Sequence, residues 1–235
     1  MTSLSNLKVF ATYPHECSYL DDEEATTLFI DPQTEITDEL YNALAEAGFR
    51  RSGPHIYRPH CASCNACIPA RVAVQQFNMK RQQRKIWRRN LDLHIEEIAD
   101  ISSDEYFELY CEYINQRHAD GDMYPPNRDQ YSGFLTDEFG ITKFISFRDA
   151  DKLLAVAVID VMQSGLSAVY TYFDPSETRR SLGAYVILWQ IRHAADLGLP
   201  FVYLGYWIKA CRKMQYKIDY RPLQLLINGR WLSLN

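Results

Sequence analysis

The chain has 235 residues, is 47% hydrophobic and 13% aromatic, and carries a formal net charge of −5. That is enough apolar material for one large core or two smaller ones, and sixteen tyrosines against ten glycines argue against disorder. No apolar run approaches the roughly 18 residues of a membrane span, and "MTSLSNLKVF" lacks the charged and then apolar parts of a signal peptide. The expectation is therefore a soluble, cytoplasmic protein whose six cysteines are not paired as disulfides.

The first ninety or so residues read as short strands with one helix. Strands are expected around Thr27–Ile30, His55–Arg58 and Pro69–Val74. In "TDELYNALAEAGF" the residues Ile36, Leu40, Ala43, Leu44 and Ala47 share a helical face, and Gly48 supplies the stop. Cys61, Cys64 and Cys67 in "CASCNAC" have metal-ligand spacing. Cys17, His60 or His15 would complete a four-ligand site for zinc or an iron–sulfur cluster; the alternative is reduced, metal-free thiols.

"KRQQRKIWRR" follows. On a helical wheel Lys80, Arg81, Arg84, Lys85, Arg88 and Arg89 cover about half the circumference, with Met79, Ile86 and Trp87 opposite. Such an amphipathic cationic helix suits nucleic-acid phosphates, with Trp87 packing inward or stacking on an unpaired base. The plainer alternatives are a solvated face or contact with anionic lipid.

A second helix is expected from "SSDE", with Ser102 and Glu105 as a capping box, followed by Tyr106, Leu109, Tyr110, Tyr113 and Arg117 at helical spacing. After the loop "DGDMYPP" come three strands, "TKFISF", "LLAVAVIDVM" and "LSAVYTYF", the last two joined by a Gln163–Gly165 turn. A helix from about Arg180 to Leu197 is apolar nearly all round, hence buried. The strand "PFVYLGYW" and a hairpin turning at Asn228–Gly229 complete the chain. Asp174, at a strand end, is a candidate proton acceptor, and Tyr170 and Tyr172 alternate with it along the strand.

Strand, strand, strand, helix, strand is an order that resembles the GNAT, N-acetyltransferase-like, fold. There the helix start holds a pyrophosphate, and "RSLGAY" keeps Arg180 and Gly183 but has Tyr185 where Gly or Ala would sit. Amides at that helix start, beside Arg179 and Arg180, suit a phosphate whether or not it belongs to coenzyme A. The fold class expected is α/β, with a smaller Cys-containing N-terminal subdomain over residues 1–95 and a GNAT-like domain over 96–235.

Six stretches in order, "CSYL", "YRPHCASCNACIPARV", "SAVYTYFDP", "RSLGAYVILWQI", "YLGYWI" and "RKMQYKIDYRPL", resemble the arginyl-tRNA–protein transferase family, most closely its compact bacterial branch. The resemblance implies transfer of leucine from leucyl-tRNA to proteins whose first residue is Asp or Glu, marking them for N-degron proteolysis. It implies no cofactor for the reaction. Larger members hold a haem or iron–sulfur group through N-terminal cysteines; here Leu20 stands where those members show a second cysteine after Cys17. Within the family-like stretches, Arg71, Lys213 and Lys217 are candidates for binding the acidic N-terminus. Tyr203, Tyr206 and Trp207 are candidates for the aminoacyl pocket. Competing readings are an arginyl donor, a coenzyme-A-dependent N-acyltransferase, and a metal-stabilised RNA-binding module without activity.

Overall fold

The strand β10 (Lys152–Met162) is the centre of the molecule, and every residue from Leu153 to Asp160 is buried. A strand covered on both faces reads as a continuous apolar run rather than an alternation, which is what "LLAVAVI" shows. The computed structural model describes residues 7–136 and 140–234, so the first six residues of the N-terminal stretch read above lie outside it.

β10 lies within an eight-stranded sheet. From one edge the order is β8 (His94–Ile98), β9 (Thr142–Asp149), β10, β11 (Gly165–Phe173), β12 (Phe201–Trp207), β7 (Ile68–Ala73), β13 (Leu223–Ile227) and β14 (Arg230–Leu234). Every neighbouring pair is antiparallel except β11 and β12, which run parallel. A second sheet of four strands has the order β1 (Val9–Ala11), β4 (Thr27–Ile30), β6 (His55–Pro59) and β5 (Arg50–Ser52). The short strands β2 (His15–Glu16) and β3 (Glu24–Ala25) pair with each other.

Alternation along β10 assigns the layers. Ala155, Ala157 and Ile159 face the helices α2 (Arg81–Arg89) and α5 (Leu182–Asp196). Val156 and Val158 face α3 (Asp104–Arg117) and α4 (Arg128–Leu135). Farther along that second face, Met162 and Tyr203 pack against α1 (Asp38–Glu46) and against Ile30 and Ile56 of the small sheet. One buried ion pair ties the small sheet to the large one. Arg51 donates to both carboxylate oxygens of Asp160 at 2.8 and 2.9 Å, and Asp160 also accepts from Tyr41 at 2.6 Å and Thr142 at 2.7 Å. No helix among the described residues is long and apolar enough to cross a membrane.

Several expectations shift. The residues before position 95 do not stand apart: β7 lies between β12 and β13, and α2 packs in the same core cluster as α5. A boundary at residue 95 therefore cuts through the large sheet. The helix expected from Arg180 begins at Leu182, because Ser181 is in the left-handed region at φ +54°. The capping box at Ser102 does not form. Ser102 bonds to Asp100 at 2.5 Å, Ser103 occupies the cap position, and Glu105 is engaged by Arg148. β8, α4 and a 3-10 helix over Arg212–Asp219 were not anticipated.

Candidate active site

The parallel pair β11–β12 carries the feature on which the site is built. Its ladder has only two registered pairs, Leu166 with Val202 and Ser167 with Tyr203. Past these the two strands continue to Phe173 and Trp207 without pairing, so a notch opens in the middle of the sheet. Carbonyls on both lips need donors, and a cation supplies one to each. Arg50 Nη2 donates to Ala168 O at 2.7 Å on the β11 side. Lys217 Nζ donates to Tyr206 O on the β12 side and lies 3.3 Å from Met214 Sδ. Between them Gly205 sits at a bulge in the β12–β7 register with φ +79°, a conformation suited to glycine.

Lys217 is 4% exposed. Burial, and next the Arg50 charge, pull its ammonium down to about 7, with Cys211 and Cys67 acting weakly in the other direction. Tyr19 and Tyr216 are 42% and 45% exposed, yet desolvation raises both hydroxyls above their ordinary value. The Tyr216 ring centre lies 5.7 Å from Lys217 Nζ, and Tyr57 and Tyr206 are neighbours with ring centres 6.3 Å apart.

Of the residues expected to bind the acidic N-terminus, only Lys217 reaches this notch. Arg71 is 6% exposed and fully engaged. It donates to Gln224 at 2.8 Å, Glu46 at 2.7 Å and Tyr203 at 3.1 Å, and lies 3.5 Å over the Phe201 ring and 4.2 Å over Trp231. That is a structural clamp on α1. Lys213 holds both oxygens of Asp120 at 2.7 Å, tying the 3-10 helix to the loop after α3.

The aminoacyl-pocket candidates divide likewise. Tyr203 belongs to the Arg71 clamp, bonded to Glu46 and, at 2.9 Å, to Ser164. Tyr206 donates to Gly48 O at 2.9 Å. Trp207, half-buried at the end of β12, packs on the α5 side and has an indole N–H with no partner among the described residues.

Asp174 is placed as a turn residue. It accepts from Ser176 N at 2.8 Å and Ser176 Oγ at 2.5 Å, and pairs with Lys152 at 2.8 Å. Burial would raise its pKa, but the Lys152 and Ser176 bonds outweigh burial and hold it below the ordinary carboxylate value. A carboxylate so held takes up a proton poorly, which argues against a role as proton acceptor. Tyr172 is fully buried against Tyr131 at 2.8 Å, and Tyr170 contacts Met123 Sδ at 3.3 Å. Burial raises both hydroxyls.

The cationic helix forms as expected. Lys80 is the N-cap residue, its N–H held by Gln83 at 2.8 Å, while Gln83 donates to Asp219 O and Ile86 is buried. Lys80, Arg81, Arg84, Lys85, Arg88 and Arg89 are all exposed. None forms an ion pair among the described residues. Arg84 and Arg89 donate only to backbone carbonyls, those of Met79 and Arg179. Trp87 packs on Tyr185 with ring centres 5.5 Å apart, and with Asn78, Met79, Arg84, Arg88 and Arg192 it lines a cavity of about 420 Å³.

The start of α5 is stitched to the end of α2, because Asn90 donates to both Ile86 O and Arg180 O at 2.9 Å. Arg180 itself is spent on Asp92 at 2.9 Å and Asp149 at 2.6 Å, so it is not a free phosphate ligand, whereas Arg179 is exposed. At Gly183 a Cβ would come within 3.0 Å of the Phe173 ring, so this glycine serves close packing.

The cysteines do not converge as ligands. Among the described residues no three His, Cys, Asp or Glu side chains are set to hold a metal ion. Burial first, and then the neighbouring cysteines, push the Cys67 thiol up to about 12. Cys17, Cys61 and Cys64 are half-buried free thiols. As placed, these residues do not fit a zinc or iron–sulfur site.

Arg50, Tyr19, Tyr57, Gly205 and Tyr216 were missed in the sequence. A glycine inside an otherwise regular strand pattern, "YLGYW", was the available signal for a bulge.

Family models described as "Arginine-tRNA-protein transferase, N terminus" and "Arginine-tRNA-protein transferase, C terminus" match residues 15–85 and 105–227. A protein of Pseudomonas fluorescens (strain Pf0-1) named aspartate/glutamate leucyltransferase is 59% identical over 235 residues, covering 100% of both chains. One of the same name from Stutzerimonas stutzeri (strain A1501) is 57% identical with the same coverage. Among solved structures, L-PGS from Bacillus licheniformis is similar with a TM-score of 0.49 and 12% identity, over 83% of this chain and 62% of that one. Matches at both ends of the chain, and relatives alike from first residue to last, establish that the chain belongs to the arginine-tRNA-protein transferase family.

Proposed function

We propose that the protein moves leucine from leucyl-tRNA to the α-amine of proteins that begin with Asp or Glu. The observation that carries this is the 59% identity, over the full length of both chains, to a protein named aspartate/glutamate leucyltransferase. In this reading the reaction takes place on a GNAT-like sheet, at the notch between β11 and β12. The exposed cations of α2, continued by Arg179, hold tRNA phosphates. The setting is the cytoplasm, where charged tRNA is found, and the product is destined for N-degron proteolysis.

The chemistry asks little of the protein beyond placement. The lone pair of the neutral amine attacks the leucyl ester carbonyl, a C–N bond forms, and the C–O bond to the terminal ribose breaks. The amine proton goes, in balance, to the departing ribose oxygen. An ester becomes an amide, so no nucleotide hydrolysis is needed. The ordinary α-amine pKa of roughly 7.7–8.0 leaves a usable neutral fraction near pH 7. What remains is alignment of the two substrates and exclusion of water, both tasks suited to a cleft.

The test is label transfer from leucyl-tRNA, arginyl-tRNA or an acyl-coenzyme A to peptides beginning Asp, Glu, Arg or Ala. Leucine on the Asp and Glu peptides alone is expected. Arginine transfer would reassign the donor. Acyl transfer from acyl-coenzyme A, or tRNA binding with no transfer at all, would overturn the proposal.

A further inference from the structure

Among the described residues, the notch holds two cations with no counter-charge. Arg50 and Lys217 approach Gly205 from different elements. A Cβ at Gly205 would stand 3.7 Å from Arg50 Nε and 3.8 Å from Lys217 Nζ, so both heads reach the same point beside a bare α-carbon. Among the described residues neither forms an ion pair with a carboxylate; their polar contacts are the Ala168 and Tyr206 carbonyls and Met214 sulfur. Elsewhere this protein neutralises its inward-facing cations: Arg51 has Asp160, Arg71 has Glu46, and Arg180 has Asp92 and Asp149. Two positive heads brought together in a partly desolvated cleft repel each other and lose hydration, a cost that an incoming anion relieves.

The Arg50 guanidinium retains N–H groups beyond the one given to Ala168. A planar carboxylate matches that fork.

We infer that Arg50 and Lys217, meeting over Gly205 in the β11–β12 notch, bind the side-chain carboxylate of the substrate's first residue and so select Asp and Glu. The inference rests on the transfer reaction proposed above and assigns its specificity to two residues. The same contact holds the α-amine near the notch, three bonds from the carboxylate carbon in Asp and four in Glu.

The experiment compares four peptides identical except for a first residue of Asp, Glu, Asn or Gln, with wild type, Arg50→Gln, Arg50→Lys and Lys217→Met at saturating leucyl-tRNA. Thermal melting confirms each variant is folded. For Arg50→Gln, KM for the Asp and Glu peptides is expected to rise about ten- to a hundredfold, the range for losing a charged hydrogen bond. The Asn and Gln peptides should change little, leucyl-tRNA affinity should hold, and Arg50→Lys should recover part of the preference. Lys217→Met should act in the same direction.

A folded Arg50→Gln that keeps the acid-over-amide preference overturns the inference. So does loss of leucyl-tRNA affinity with that preference intact, which would make the notch a phosphate site. Peptide binding measured by calorimetry without tRNA separates the two levels. If wild type transfers no leucine yet binds the Asp peptide over the Asn peptide through Arg50, the reaction reading fails and the carboxylate site stands. Equal binding of both peptides overturns the site itself.

Discussion

Arg50 and Arg51 are consecutive in the chain, and the two-residue period of β5 sends them to opposite destinations. Arg51 goes inward to Asp160, and Arg50 goes to the notch carbonyl of Ala168. In the sequence they look alike, because what distinguishes them is a partner more than a hundred residues away. Lys217 was a candidate from its place in "RKMQYKIDYRPL", whereas Arg71, a candidate from "YRPHCASCNACIPARV", and Tyr203, an aminoacyl-pocket candidate from "YLGYWI", close a clamp on Glu46 that only the fold reveals. Two predictions belong to this scale. Asp160→Ala removes the carboxylate that neutralises the buried Arg51 and should cost about 3–5 kcal/mol in urea unfolding. Lys217 is lowered from its ordinary 10.5 to about 7 in the folded protein, so the unfolded chain binds the extra proton between those values. Burial of this lysine therefore destabilises fully below about pH 7, and the penalty fades as pH rises toward 10.5. The stability of wild type relative to Lys217→Met should accordingly increase between those two pH values, and a flat difference would contradict the lowered pKa.

Among the elements, those with strong periodicity were readable and those without it were not. The helix α2 announced itself through charge on one side and Met79, Ile86 and Trp87 on the other, and the buried run of β10 was equally plain. β8 has only Ile95 and Ile98 as apolar residues, and α4 is eight residues long with Gly133 inside it, too little pattern to stand out. At α3 two adjacent serines offered caps, and Asp100 took Ser102 out of competition. Cations occupy α2 from its first turn to its last, with no acidic residue to suit the N-terminal end of the dipole. Replacing Lys80, Arg84 and Arg88 by Ala should thus leave the fold intact, weaken tRNA binding, and reduce the dependence of log affinity on log salt by up to about 2–3. An unchanged slope in filter binding would remove α2 from the tRNA surface. The β5–β6 turn tests a different contact. Gly53 has φ +56°, and a Cβ there would lie 1.8 Å from Gly133 O of α4, so Gly53→Ala should lower the melting temperature by several degrees, a shift of the order expected for about 1–2 kcal/mol.

For the molecule as a whole, the large sheet is made by both ends of the chain, with β7 inserted beside β12 and the small sheet pinned through Asp160. That arrangement brings Arg50, from the first fifty residues, to a notch formed by strands more than a hundred residues later. The family resemblance and the α/β class could be read from ordered stretches of sequence. The meeting place of the substrates could not, since it depends on where a parallel pair stops pairing and on which cations fill the gap. The most direct measurement is a crystal structure with an Asp-initiated peptide and a non-hydrolysable leucyl-adenosine mimic of the tRNA end. The account predicts density for the peptide's first carboxylate within hydrogen-bonding distance of Arg50 and Lys217 above Gly205, with its amine facing the leucyl carbonyl. Peptide density anywhere else, with the notch occupied by protein or phosphate alone, would contradict it.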